Sequence, residues 1–283
     1  MSVVVTGGSG HTGTAIVSQL VAQGYDVISI DRSPSPLGQI NYKLVDCEDL
    51  GALFSVCADA QAIVHLAAIP RPIYHAPAEV YRVNTMTAFN VFEVAATLGI
   101  PRVVYISSVS VLGFPFSYSE LAPEFVPIDE THPQRPEDAY ALSKYMGEAI
   151  AAACVRRTQG KVSVVSLRPP WIHTPETFKA ELLPHQGNAA FGATNLWSYV
   201  DSRDVAQATQ LALEADIEGH EPFFISAANS FMNQPTAPLI EEFYPGATIR
   251  EGFTGNQSLL DWSKAHQMLG YRPAYSWEMY LEP

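Results

Sequence analysis

Three glycines, Gly7, Gly10 and Gly13, separate a β-branched run that begins almost at the first residue, Ser2-Val-Val-Val-Thr6, from a helical stretch reaching from about Thr14 to Gln23. Ile16, Val17, Leu20 and Val21 give that stretch its apolar face. A buried strand that turns on glycine straight into a helix belongs to the α/β class, where such units lie side by side in a parallel sheet. The glycines permit a tight turn, let the backbone approach a pyrophosphate, and leave its charge facing the helix N-terminus. The spacing therefore predicts a dinucleotide site close to the start of the chain.

The following segments keep the same rhythm. A second strand, Asp26-Val-Ile-Ser-Ile30, ends at Asp31, about twenty positions past the glycines. An acidic residue there accepts hydrogen bonds from an adenosine ribose and repels a 2′-phosphate, which favours NAD over NADP. Arg32, next to it, carries the opposite tendency. Asp46 closes the run from Tyr42 to Val45 and has two readings: it reaches the adenine side, or it caps a helix from about Glu48. Ala62-Ile-Val-His-Leu-Ala-Ala68 reads as an apolar strand ending on small residues. Leu66, Ala67 and Ala68 would let the backbone lie against a cofactor ribose, and His65, inside the run, reads as a core histidine. Helical periodicity runs from about Pro77 to Leu98 and carries Asn84. The strand Arg102 to Ile106 then delivers Ser107 and Ser108 to its carboxyl end, where ligands bind in parallel sheets. Strands alternating with helices in this way predict a Rossmann-type doubly wound parallel sheet.

Charge and composition narrow the partners. Net charge is −13, from 29 acidic and 16 basic residues, and there is no Lys/Arg-rich run, which argues against nucleic acid and anionic membranes. Cys47, Cys57 and Cys154 form no paired spacing, so free thiols in a reducing cytosol are expected. No run approaches the ~18 apolar residues of a membrane span, and no leader is evident. The expectation is a cytoplasmic protein with a small-molecule substrate and no metal.

Tyr140 and Lys144, in Tyr140-Ala-Leu-Ser-Lys144, share one face of a helix about one turn apart. An ammonium beside a phenol favours the phenolate and brings proton transfer within reach of neutral pH.

Taken together, Thr6-Gly7-Gly8-Ser9-Gly10-His11-Thr12-Gly13, Ser108 five residues before Gly113, and the Tyr140–Lys144 pair resemble an extended short-chain dehydrogenase/reductase. More narrowly, the chain resembles the NAD-dependent epimerase/dehydratase family. His65-Leu-Ala-Ala68, Leu167-Arg-Pro169, Ser198 to Ala206 and Lys264 to Tyr271 fall in family order. The resemblance implies that His11 and Thr12 join the glycines at the cofactor and that Tyr140 is the general acid/base. It also implies that Lys144 lowers the Tyr140 pKa and holds the nicotinamide ribose, that Ser108 orients the reacting hydroxyl, and that Asn84 lies near the site with an indirect or substrate-binding role. Two departures refine it. Val109 and Ser110 occupy the positions where sugar-nucleotide dehydratases carry an Asp-Glu pair, so dehydration is not expected. The stretch from Phe231 to Gln257 offers Arg250 alone where nucleotide-sugar epimerases grip a diphosphate.

After the sixth strand, Val162 to Leu167, the segment Arg168-Pro-Pro-Trp-Ile-His173 reads as a loop over the cleft, with Trp171 and His173 as substrate candidates. Irregular sequence to Leu196 reads as a substrate loop or lid, and Trp171 and Trp197 either stack on a sugar or pack the lobe. Asp204 reads as the N-cap of a helix ending near Glu214. The expected division is a Rossmann domain of residues 1–168 plus about 198–226, and a small C-terminal substrate lobe of about 169–197 plus 227–283. Apolar and small residues on the helices near Val83–Leu98 and Ala139–Arg157 predict a homodimer. Three functions fit the chain: an NAD-dependent dehydrogenase of a small sugar, sugar acid or polyol; a sugar epimerase that retains NAD; and a non-catalytic dinucleotide sensor.

Overall fold

Val3, Val4 and Val5 have no exposed surface, because the strand that carries them lies mid-sheet with helices against both faces. The computed structural model describes residues 1–38 and 40–281. Seven parallel strands make the central sheet: β1 (Ser2–Thr6), β2 (Asp26–Asp31), β3 (Asn41–Leu44), β4 (Ala62–His65), β5 (Arg102–Ile106), β6 (Ser163–Arg168) and β7 (His220–Phe224). Their order across the sheet is β3-β2-β1-β4-β5-β6-β7. The chain winds outward from β1 in both directions, so a crevice opens between the carboxyl ends of β1 and β4.

Alternation along each strand divides the core in two. Val3, Val5, Val64, Val104 and Val165 pack against α1 (His11–Ala22) and the helix Ser202–Glu214. Val4, Ile63, Val103 and Val164 point the other way, against α2 (Leu50–Cys57), α3 (Pro77–Leu98) and α4 (Ala139–Arg157). A third apolar cluster, including Phe178, Trp197, Tyr199, Phe231, Leu239 and Trp277, draws on residues beyond the main sheet.

Several boundaries differ from the sequence reading. The helix expected from about Glu48 begins at Leu50 with Asp49 as its N-cap, while Asp46 Oδ1 accepts from Glu48 N (2.9 Å) in the turn before it. Trp171–His173 is a short strand paired with Tyr199–Asp201, not a loop. The stretch read as irregular winds through short helical turns at Pro175–Thr177, Phe178–Leu182, Leu183–His185 and Ala189–Ala193. Asp201, not Asp204, caps the helix Ser202–Glu214, accepting from Arg203 N (2.8 Å). Asp204 is fully buried inside it and accepts from Ala274 N (2.9 Å) and Tyr275 N (3.1 Å), anchoring the C-terminal segment. Cys47, Cys57 and Cys154 are free and buried. Among the described residues, no helix is long and apolar enough to cross a membrane, and no cluster suits a metal ion.

Candidate active site

The glycine turn is built by close approach. Gly7 has φ +72°, and a Cβ there would lie 2.8 Å from Ala67 N, so β1 and β4 could not converge at their ends with any other residue. A Cβ on Gly13 would collide with the Gly7 carbonyl oxygen and lie 2.8 Å from Gly8 Cα, blocking the fold of the turn onto α1. Gly10 differs: its Cβ would meet only the Gly7 carbonyl oxygen, at an ordinary 3.5 Å. Gly10 is the N-cap of α1 and supplies no capping side chain. The first N–H groups of that helix, from His11 to Gly13, have no acceptor within the helix itself. This cradle fits a dinucleotide pyrophosphate, as helix N-termini fit anions generally.

Asp31 sits at the end of β2, where its carboxylate accepts from Ser9 N (3.1 Å) and Ser33 N (3.1 Å). It therefore braces the glycine turn, and Arg32 beside it is exposed. Thr6 Oγ1 accepts from Leu66 N (3.2 Å) and Ala67 N (3.1 Å), which fixes the backbone from Leu66 to Ala68 along the crevice. His65 is 1 % exposed, lies 2.7 Å from Thr6 Oγ1 through Nδ1, and is held neutral by burial, its pKa down to about 3. That is the core histidine expected. Asn84 is buried, and its amide is spent on the protein: it accepts from Ile69 N (2.7 Å) and donates to Ile69 O (3.0 Å) and Ser143 Oγ (3.1 Å). Asn84 thus ties the loop after β4 to α4.

The structure brings Ser108, just after β5, against Tyr140 and Lys144 of α4. Asp138 caps the helix, accepting from Tyr140 N (2.8 Å) and Ala141 N (3.0 Å), and so sets where Tyr140 starts the first turn. The Tyr140 ring packs with Ile69, Val80 and Val83, and Phe116 meets it edge-on at 6.3 Å. Burial pushes the phenol up to about 12, against the downward pull of its hydrogen bond with Ser108 and of the Arg71 charge. Lys144 Nζ donates to Ile106 O (2.8 Å) and lies 5.8 Å from the Tyr140 ring centroid, and burial brings its pKa down to about 8. In the unliganded chain, desolvation of both groups thus outweighs the depression of the Tyr140 pKa that the resemblance implies. Ser108 Oγ accepts from Ser110 N (3.1 Å) and lies 3.0 Å from Ser110 Oγ, which holds the hydroxyl in one place.

Trp171 is half-buried and meets His173, His185 and Phe191 at tilted angles and Phe231 edge-on. His173 is fully buried, with Nδ1 3.1 Å from Thr177 Oγ1, so it does not stand over the cleft as its sequence position suggested. Trp197 is fully buried and donates through Nε1 to Ala189 O (2.8 Å), which makes it a packing residue. Sequence reasoning missed Arg71, whose charge acts on the Tyr140 phenol from the loop after β4, and Phe116. It also missed Glu148, although a carboxylate four residues after Lys144 on the same helix is a readable signal.

A parallel sheet that changes winding direction at a glycine turn, with a cleft beside it, is a Rossmann-type dinucleotide-binding architecture. Residues 3–225 match the model of the NAD dependent epimerase/dehydratase family, and the chain belongs to that family. It is therefore an NAD-dependent enzyme, and the non-catalytic reading falls away. A putative UDP-glucose 4-epimerase of Methanocaldococcus jannaschii is 27% identical over 75% of this chain and 73% of its own length. An L-arabinose 1-dehydrogenase (NAD(P)(+)) of Haloferax volcanii is 29% identical, covering 76% and 83% of the two chains. The structure of the Thermotoga maritima UDP-glucose 4-epimerase with UDP-glucose superposes with a TM-score of 0.74 at 23% identity, over 98% of this chain and 95% of that one.

Proposed function

We propose that the protein is an NAD-dependent dehydrogenase acting at a carbinol of a small sugar, sugar acid or polyol that carries no nucleotide. One observation favours this reading over a nucleotide-sugar substrate. Arg250, the sole basic residue from Phe231 to Gln257, is committed to Asp129 at 2.6 Å and lies 3.8 Å over the Phe125 ring. A diphosphate would have to pull it out of both contacts.

The turn of Gly7, Gly10 and Gly13, with His11 and Thr12 on α1, would hold the NAD pyrophosphate, Asp31 the adenosine ribose, and Lys144 the nicotinamide ribose. When bound, NAD supplies the hydride acceptor or donor. Tyr140 takes the proton from the substrate hydroxyl during oxidation and returns it during reduction. Ser108, immobilised by Ser110, hydrogen-bonds the same hydroxyl and fixes its approach to the phenol. Residues of about 169–197 and 227–283 form the substrate lobe, and Trp171, half-buried in its aromatic cluster, offers a ring face to the substrate.

The second reading is an epimerase, favoured by the relatives named as UDP-glucose 4-epimerases. Turnover of free aldoses, aldonates and uronates with NAD, set against UDP-sugars, separates the two. NADH production from a free sugar supports the dehydrogenase. Epimerisation of a UDP-sugar by protein purified with NAD still bound overturns it. The working form we propose is a cytoplasmic homodimer through α3 and α4. Their outer faces leave Met86, Phe89, Leu142 and Tyr145 more than a third exposed.

A further inference from the structure

Three residues of α4 stand four apart on one helical face: Tyr140, Lys144 and Glu148. Side chains on a helix lean toward its N-terminus, so the Glu148 carboxylate is directed at the turn that carries Lys144. A lysine and a glutamate at this spacing ordinarily pair. Here they do not. Lys144 Nζ donates to Ile106 O (2.8 Å), while both Glu148 oxygens turn to Arg168 at the end of β6. Arg168 Nε donates to Glu148 Oε1 (2.9 Å) and Nη2 to Oε2 (2.6 Å), a two-point grip buried at 1 % and 7 % side-chain exposure. Ser107, the residue before Ser108, donates to the same Oε1 (2.6 Å). The remaining nitrogen, Arg168 Nη1, has no partner among the described residues, so the guanidinium is placed for this carboxylate.

We infer that Arg168 is a positioning residue that captures Glu148, leaving the Lys144 ammonium free to act on Tyr140 and the cofactor ribose. The inference rests on the reading of Tyr140 and Lys144 as the acid/base pair. A free ammonium stabilises a phenolate, whereas an ammonium neutralised by a carboxylate one turn away does so far less. The other groups facing these side chains do not substitute. His65 of β4 is held neutral, and the Tyr105 phenol of β5, 5.1 Å from Lys144 Nζ at its ring centroid, is raised by burial. His220 of β7 faces Glu148 but lies 2.8 Å from Ser166 Oγ through Nε2, and burial keeps it neutral. Glu130 acts on Arg168 from outside while accepting from Phe224 N (2.8 Å). Asp138 and Arg71 act on Tyr140 with opposite signs.

The test compares wild type, Arg168→Met and the double variant Arg168→Met/Glu148→Gln. The titration of Lys144 is followed by NMR of lysine-labelled unliganded protein, and kcat for oxidation is followed against pH. In Arg168→Met the released Glu148 pairs with Lys144. The Lys144 midpoint then rises by about one pH unit, the acid limb of kcat moves up with the Tyr140 pKa, and kcat near neutrality falls about tenfold. The double variant removes both charges, and replacing a buried pair by neutral groups preserves folding. It should return the Lys144 midpoint to within about half a pH unit of wild type and recover most of the lost kcat. A purely structural Arg168 would also recover once both charges are gone, so recovery of kcat alone does not decide; it would leave the Lys144 midpoint unmoved in Arg168→Met, and that result overturns the inference. If Arg168→Met does not fold, the double variant decides alone: a Lys144 midpoint more than about one unit below wild type makes Glu148 the lysine's own counter-ion and overturns the inference. The Lys144 titration needs no catalysis, so an active Tyr140→Phe enzyme would sink the acid/base reading separately.

Discussion

Lys144 lies 5.8 Å from the centre of the Tyr140 ring, yet its hydrogen bond runs to the Ile106 carbonyl, not to the phenol. In the proposed mechanism the lysine would act on Tyr140 through its charge and not through a hydrogen bond. Tyr140→Phe removes the proton carrier and leaves the ring packing with Ile69 and Val83 in place. On the proposed mechanism turnover should fall by about two to four orders of magnitude, with NAD affinity nearly unchanged because the phenol would face the substrate. Steady-state kinetics and NAD titration check this, and more than about a tenth of wild-type turnover in the variant would contradict it.

Asp204 carries a pH dependence of stability. Burial lifts its carboxyl from 3.8 to about 6, against the pull of the Ala274 and Tyr275 N–H groups. The folded state thus holds a proton that the unfolded state has released. The stability this confers is fully present below about pH 4 and is lost as pH rises through about 6, at most about 3 kcal/mol. Urea unfolding of wild type and Asp204→Asn should show wild type gaining on the variant between pH 7 and pH 4. A gap that does not change with pH would contradict the assignment. Asp204→Ala, which orphans both N–H groups, should cost about 2–4 kcal/mol at pH 7.

Phe89 and Met86 on α3 are 47 % and 45 % exposed, and on α4 Leu142 and Tyr145 are 38 % and 39 % exposed. A charge placed among these side chains has to be desolvated when two copies meet. Phe89→Glu should therefore convert a dimer to a monomer, with little loss of monomer stability, since Phe89 is outside the core. Light scattering at micromolar concentration reads this directly, and a monomeric wild type would end the proposal.

The sheet was legible because its signals are local. The strands β1, β2, β4, β5 and β6 carry β-branched residues in short runs, and α3 spans the predicted Pro77–Leu98. The glycine turn was legible for the same reason: Gly7 and Gly13 are required by backbone contacts between neighbouring elements. What escaped depends on contacts distant in sequence. Asp204 looked like a cap because it opens an apolar stretch, and only the return of Ala274 and Tyr275 shows why it is buried. His173 looked exposed because two prolines precede it, whereas pairing with Asp201 across a short strand takes it out of the cleft. The Glu148–Arg168 pair joins α4 to β6, and although the spacing of Glu148 after Lys144 is readable, neither segment alone names Arg168 as its partner.

The last prediction concerns the adenosine end, where Asp31 and Arg32 oppose each other. Asp31 is fixed by Ser9 N and Ser33 N, both at 3.1 Å, so its carboxylate cannot swing away from an incoming 2′-phosphate. Arg32 is exposed and loses hydration and side-chain freedom if it turns in to hold that phosphate. A fixed carboxylate facing a phosphate dianion costs more than a mobile surface arginine returns across a screened distance. NAD should therefore exceed NADP in kcat/KM by at least about tenfold, ~1.4 kcal/mol. Asp31→Ala should close most of that gap from both sides. It removes the repulsion of NADP, and it also lowers NAD efficiency, because the Ser9 N–H loses its acceptor and the glycine turn loses its brace. Arg32→Ala in that background should then weaken NADP alone, since the arginine has no partner on NAD. Kinetics with both cofactors on wild type and the two variants decide the matter, and an NADP preference in the wild type would mean that Arg32 outweighs Asp31.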